Sequence, residues 1–275
     1  MSNSLPKVSA VCCTYKRFQC VERVINCYLA QDYPNKELII YNTDADNPYV
    51  DYGCKLLPYG VLIINRSTDF LTKEPYTNVG AIRRDALQFA EGDYVVTWDD
   101  DDIFLPHFMR QGIDRIQETG LPSFKPEMSF FYSGNHLRMV RNTLEASVIA
   151  DINKVREYGY LLETGKEGLG WYTKLRDKQE LNEYDKYYVP SYCFNWNDGN
   201  DMKAPHKQSG DINNPQNFDN HKMHSLDSVD GRTIEIYNEE RLVNTYKPYF
   251  DFIQENKSNF PQELLEKYIT PHFAL

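Results

Sequence analysis

No run in this 275-residue sequence approaches the roughly 18–20 consecutive apolar residues that cross a bilayer. The opening MSNSLPKVSA has neither a basic n-region nor an apolar h-region, so no secretory leader is expected. Both absences predict a cytoplasmic protein, or one acting in a host cytoplasm if the chain is phage-encoded. The six cysteines, Cys12, Cys13, Cys20, Cys27, Cys54 and Cys193, have no metal-finger spacing. Most sit inside apolar segments, as expected of reduced, buried thiols. Basic residues are outnumbered, 30 Lys and Arg against 40 Asp and Glu, for a formal charge of −10. That balance argues against a nucleic-acid backbone as main partner, although a local basic groove stays open. No internal repeat and no flexible linker cuts the chain into independent domains.

What is present alternates between strand and helix signals over the first hundred residues. KVSAVCCTY, ELIIYN, GVLIINR and YVVTW read as short buried strands. Between the first two, Val21, Val24, Ile25 and Tyr28 recur at i, i+3, i+4 and i+7, the spacing of an amphipathic helix. Before the fourth, Val79, Ile82, Ala86, Phe89 and Ala90 share a helical face that Gly92 ends. This order predicts βαβ units and a mainly parallel, Rossmann-like α/β sheet flanked by helices. EMSFFYSGNHLRMV predicts a smaller antiparallel portion. The last forty or so residues, from EERLVNTYKPYF onward, predict C-terminal helices. A long polar stretch, about 197–232, is expected to be a functional loop or disordered.

Ligands of open α/β sheets sit outside the carboxyl ends of the strands. Here Thr14, Tyr15, Lys16 and Arg17 follow the first strand, Asn42 to Asp46 the second, and Asp99 to Asp102 the fourth. The last run is unusual, since GDYVVTWDDDDIFLP sets four adjacent carboxylates between apolar segments. Asp99 and Asp101, at i and i+2 of an extended loop, face the same side. Two carboxylates are enough protein ligands for a hard cation such as Mg²⁺ or Mn²⁺ when a diphosphate and water complete the shell. Asp100 or Asp102 would then anchor the loop. The plainer alternative is that Asp102 caps the helix starting near Pro106, which accounts for one or two acids of the four.

VSAVCCTYKRFQCVERVINCYLAQDYPNKELIIYN, NVGAIRRDALQFAEGDYVVTWDDDD and FLP together resemble the nucleotide-sugar-binding half of a family 2, GT-A-fold glycosyltransferase. Thr14, Tyr15 and Arg17 match a Thr-Tyr-x-Arg-like loop. Gly80 and Arg83 match a Gly-x-x-Arg segment, and Asp99, Asp101 and Asp102 match a DxD motif. The resemblance covers roughly residues 7–110 and weakens afterwards. It implies three portions of one compact unit: 1–110 for the nucleotide-sugar donor, 111–232 for the acceptor with the polar loop, and 233–275 as a helical tail.

Residue by residue, the resemblance implies that Thr14, Tyr15 and Arg17 line the nucleotide pocket, and that Asn42 or Asp44 contacts the base. Arg83 approaches base or phosphates. Asp99 contacts ribose or metal, and Asp101 ligates the metal. Where the family often carries a Glu-Asp pair, this chain has Glu167 followed by Gly168. Glu167, with Glu163 behind it, is the candidate for the base that deprotonates the acceptor. In NWNDGNDMKAPHKQSG, His206 is a candidate for the metal shell and Lys207 for phosphate. His221 and His224 share an HxxH spacing with no further ligand nearby in sequence.

The activity implied is metal-dependent, inverting transfer of a sugar from a nucleotide-diphosphate donor, such as a UDP-sugar, to an acceptor hydroxyl. The acceptor is either a glycan or glycolipid precursor or a hydroxymethylated DNA base. The rivals are a nucleotidyltransferase and a degenerate transferase that only binds. A nucleotidyltransferase would need a glycine-rich phosphate loop where this chain has CCTYKRF.

Overall fold

The structure is a computed structural model that describes residues 5–51, 55–133, 136–183, 185–195 and 236–273. Strand β1 (Val8–Thr14) leads into helix α1 (Phe18–Leu29), strand β2 (Lys36–Asn42) and strand β3 (Val61–Asn65). Helix α2 (Val79–Ala86) precedes β4 (Tyr94–Thr97) and the short β5 (Ile103–Phe104). Helix α3 (Phe108–Thr119), β6 (Ser123–Phe124), β7 (Met128–Ser133) and β8 (His136–Arg141) follow. Next come β9 (Ile149–Asp151), α4 (Ile152–Tyr158), α5 (Leu169–Asp177), β10 (Leu181–Asn182) and β11 (Tyr192–Asn195). Helix α6 (Glu239–Glu255) opens the tail, and helical turns continue to Phe273.

Seven strands form the main sheet in the order β10-β6-β9-β4-β1-β2-β3. β1 pairs parallel to both β2 and β4, and β2 parallel to β3, so the carboxyl ends of these four strands share one edge. β9 runs antiparallel to β4 and β6. A second sheet, β5-β11-β7-β8, is mostly antiparallel, with β11 and β7 parallel.

Both faces of the main sheet are buried, which is why its strands read as continuous apolar runs rather than alternating ones. Val8, Ala10 and Cys12 of β1, with Leu38 and Ile40 of β2, pack on one side with Val21, Val24, Ile25 and Tyr28 of α1 and with Ile113 and Ile116 of α3. Val11, Ile39 and Tyr41 face the other side, against Ala81 and Ile82 of α2, Val155 of α4 and Leu175 of α5. The tail joins the first of these layers: Tyr249 and Phe252 of α6 lie edge-on to Phe130 of β7, at 5.4 and 5.5 Å between ring centres. Cys12, Cys20, Cys27 and Cys193 are buried free thiols and Cys13 is half-buried, as the sequence predicts. Helix α2 is shorter than its apolar face suggests. It stops at Ala86, and Leu87–Phe89 tighten into a single 3₁₀ turn.

One buried polar residue makes a pH prediction. His107, fully buried at the start of α3, lies 6.2 Å from the Tyr268 ring and 6.3 Å from the His272 ring. Burial, reinforced by His272, pushes its pKa down to about 3. In the unfolded chain an imidazole takes up its proton near 6.5. Stability from this group is therefore full above pH 6.5 and is lost as pH falls from 6.5 towards 3. At pH 4.5 the loss is roughly 3 kcal/mol. Denaturant unfolding of His107→Gln beside wild type at pH 7 and 4.5 checks it. The stability gap should shift in the variant's favour by that amount at pH 4.5, and a pH-independent gap would reject it.

Candidate active site

The end of β1, the turn into α1, helix α2, the loop after β4 and the segment before α5 meet at the carboxyl edge of the main sheet. The turn from β1 to α1 passes through Lys16 in the left-handed region, φ 54°. This is an uncommon conformation for a residue with a β-carbon, held here between Tyr15 and Arg17. Arg17 then stands directly before α1. Thr14, buried at the strand end, donates through Oγ1 to Asp100 Oδ2 at 2.9 Å. The Arg17 guanidinium also pairs with Asp100, and its Nη1 lies 3.5 Å from Asp101 Oδ2. Arg23 of α1 donates through Nη2 to the Asp100 carbonyl at 2.9 Å.

Asp100, Asp101 and Asp102 are all buried. Buried carboxylates of one sign are tolerated only when they are paired and hydrogen-bonded. Asp102 accepts from the Tyr192 hydroxyl and from the Asn195 backbone N–H at 3.0 Å, while Asn195 Nδ2 donates to the Asp101 carbonyl at 2.9 Å. Asp102 thus ties the loop to β11. It does not cap α3, whose first turn follows His107 without a side-chain cap. Trp98 and Phe104 clamp the loop from below, stacked at 3.8 Å and 15°. The apolar residues around the four acids form its floor.

Arg83 of α2 forms the second centre. Its Nη2 lies 2.8 Å from Asp99 Oδ1 and 3.1 Å from Glu167 Oε1. Its Nε and Nη1, and Glu167 Oε2, are buried without a hydrogen-bond partner among the described residues. Burial alone would depress the Arg83 pKa, but the charges of Asp99, Glu167 and Glu145 outweigh it and hold Arg83 cationic. Burial also pushes Asp99 upward; Arg83 opposes this, and the charges of Asp101, Glu145 and Glu167 add to it. Arg83 reaches this position because Asn78 caps α2, accepting from the Ala81 N–H at 2.8 Å. Gly80 lets the 159–167 segment press onto the helix: a β-carbon there would fall 1.8 Å from the Leu161 carbonyl oxygen. The Gly80 N–H donates to the Glu163 carbonyl at 3.1 Å.

The candidate residues therefore divide. Thr14, Arg17, Arg83, Asp99, Asp101 and Glu167 converge on one rim. Tyr15 is half-buried beside it, under the Lys16 ammonium at 5.3 Å. Asn42 and Asp44 lie on the same sheet edge but are occupied locally. Asn42 donates to the Asn47 carbonyl and to Asn65 Oδ1, both at 2.9 Å, and Asp44 accepts from Asn47 Nδ2 at 2.8 Å. The Glu163 side chain is exposed, apart from the buried Glu167. His206, Lys207, His221 and His224 lie outside the described residues. Sequence reasoning passed over Arg23, Tyr192, Asn195 and Glu145. Only Arg23 carried a local signal, as a basic residue on an otherwise apolar helix face.

Asp99 and Asp101 offer hard oxygen donors from one short segment, a set suited to Mn²⁺ or Mg²⁺ shared with a diphosphate. Among the described residues no group of three His, Cys, Asp or Glu would hold a cation by itself. The cationic Arg83, with two unused nitrogens, suits an anion beside them.

Residues 9–160, more than half of the chain, match the family model described as glycosyl transferase family 2. The chain belongs to that family. No curated protein sequence matches the chain. Among solved structures it is similar to S. aureus TarS 1-349, with 14% identity and a TM-score of 0.51 over 69% of this chain and 60% of that one. The same TarS segment in complex with UDP-GlcNAc aligns over 94% of this chain and 82% of that one, with 15% identity and a TM-score of 0.51. Glucosyl-3-phosphoglycerate synthase from Mycobacterium tuberculosis, in complex with Mn²⁺, UDP and glucosyl-3-phosphoglycerate, aligns over 74% of this chain and 75% of that one, with 16% identity and a TM-score of 0.50. At such identities these likenesses establish the fold, the GT-A architecture. The chain spans about 60% of the length of the first TarS structure it matches. Among the described residues no helix is long and apolar enough to cross a membrane.

Proposed function

We propose that this glycosyltransferase moves a sugar from a UDP-sugar to an acceptor hydroxyl with inversion, in the presence of Mn²⁺ or Mg²⁺. The observation that carries the reading is Arg83, buried at the carboxyl edge of the sheet with Nε and Nη1 unpartnered, beside Asp99. An arginine left with unused donors in a dry site is built to meet an anion, and the donor's diphosphate is one. In this reading Arg83 and Lys207 hold phosphate oxygens, and Asp99 and Asp101 hold the cation. Thr14, Tyr15 and Arg17 shape the nucleotide pocket, and Asn42 and Asp44 set the loop against the base. The bound cation would neutralise charge on the departing diphosphate. UDP is preferred as the nucleotide because it accompanies both similar structures.

Inversion follows if the acceptor oxygen attacks the anomeric carbon from the face opposite the diphosphate, through an oxocarbenium-like transition state. The formal charge of −10 favours a glycan precursor over a hydroxymethylated DNA base as acceptor. A thermal-shift screen of nucleoside diphosphates with and without Mn²⁺ tests the donor site. UDP at about 100 times its Kd should add roughly 2.7 kcal/mol of stability, only with the cation present. Stabilisation by no nucleotide under either condition would sink the proposal.

A further inference from the structure

One acid at the rim takes part in none of the ion pairs and hydrogen bonds that hold the others. Glu145 begins the helical turn Glu145–Ser147 that leads into β9. Its charge acts on both Arg83 and Asp99. It is half-buried, and its carboxylate makes no hydrogen bond or ion pair with a described residue. Its position is fixed from the other side by Gly168. A β-carbon on Gly168 would lie 2.2 Å from Glu145 Cγ and 2.7 Å from Glu145 Oε1. The Glu145 carboxyl group therefore occupies the space that a side chain at position 168 would take, immediately after the buried Glu167.

The other carboxylates of the rim are committed. Asp100 is held by Thr14 and Arg17, and Asp102 by Tyr192 and Asn195. Asp101 faces Arg17, and Asp99 and Glu167 both pair with Arg83. A general base needs unused lone pairs, reach to the acceptor oxygen and an exit for the proton it collects. Glu145 alone among these acids combines an unengaged carboxylate with partial exposure beside the Arg83 cluster. Glu167, with Oε1 on Arg83 and burial on all sides, is better suited to position that arginine.

Resting on the transfer reaction proposed above, we infer that Glu145 is its general base, seated there by the missing side chain of Gly168. The acceptor's O–H proton passes to a Glu145 carboxylate oxygen. The acceptor oxygen bonds to the anomeric carbon as the bond from that carbon to the diphosphate oxygen breaks, and UDP departs with the electron pair. Exposure of Glu145 lets the proton leave to solvent.

The test uses water as acceptor and UDP-GlcNAc or UDP-glucose with Mn²⁺ as donor, reading UDP release alongside UDP affinity and thermal midpoint. Glu145→Gln should lower kcat by about 10²–10⁴-fold while KM for the donor and Kd for UDP stay within about twofold. Gly168→Ala, which pushes a methyl group into the carboxylate while leaving Glu145 in the sequence, should lower kcat in the same direction. Relocating the acid, as Glu145→Ala with Gly168→Asp, should recover at least about tenfold over Glu145→Ala alone. A Glu145→Gln enzyme within about threefold of wild type overturns the assignment, and a selective kcat loss in Glu167→Gln would then pass the role to Glu167. A wild type that neither binds UDP with Mn²⁺ nor releases it from either donor removes the transfer reading itself, and Glu145's role with it. Normal UDP binding with an unaffected Glu145→Gln enzyme removes only the latter.

Discussion

Asp101→Asn is expected to weaken Mn²⁺-dependent UDP binding by at least about 100-fold while leaving the protein as stable as before, or slightly more so. The two halves of this expectation have separate causes. Asp101 lies in a buried row of like charges, between Asp100 and Asp102 and near Asp99. Arg17 pairs first with Asp100 and stands 3.5 Å from Asp101, so removing the Asp101 charge leaves Arg17 with its closer partner. The amide also relieves repulsion among the remaining acids. A cation shared with a diphosphate, by contrast, draws on very few protein ligands, and losing one charged ligand is a large fraction of the set. Calorimetric titration of UDP with and without Mn²⁺, beside a thermal midpoint for the variant, checks both halves. An unchanged affinity would remove the metal role from Asp101. A drop of many degrees in midpoint would make the residue structural instead.

The sequence was most legible where the physics is local. Two-sided burial of β1, β2 and β4 shows as continuous apolar runs. The helical spacing of Val21, Val24, Ile25 and Tyr28 shows as α1. The polar loops at the strand ends follow from strand direction alone. The acidic loop was conspicuous because four carboxylates between apolar segments need compensation. What supplies that compensation was hidden. Tyr192 and Asn195 reach Asp102 across 90 and 93 residues of chain, through the pairing of β11 with β5. No periodicity in YYVPSYCFNW points there. The pairing of β9 between β4 and β6, which carries Glu145 to the rim, is equally non-local. Gly168 was visible as a missing acid, but only the fold reveals that a carboxylate from another element fills the gap.

Arg83→Met should be the most destabilising single change at the rim, by roughly 3–5 kcal/mol, because it leaves Asp99 and the buried Glu167 without their shared cation. In a chain of this length that corresponds to about 10 °C in thermal midpoint. The same change removes the unused nitrogens proposed to meet the diphosphate, so UDP binding should be lost as well. One variant would therefore confuse a fold defect with a binding defect. Adding Glu167→Gln to Arg83→Met separates them. Neutralising the second buried charge should return a large part of the lost stability, since the two residues share one ion pair and their effects cannot add. It should return none of the UDP affinity, because no donor has been restored. If stability and affinity recover together in the double variant, Arg83 acts only as a strut for Glu167 and the anion is held elsewhere. If stability returns while affinity stays lost, the arginine serves the fold through Glu167 and the substrate through its two unused nitrogens.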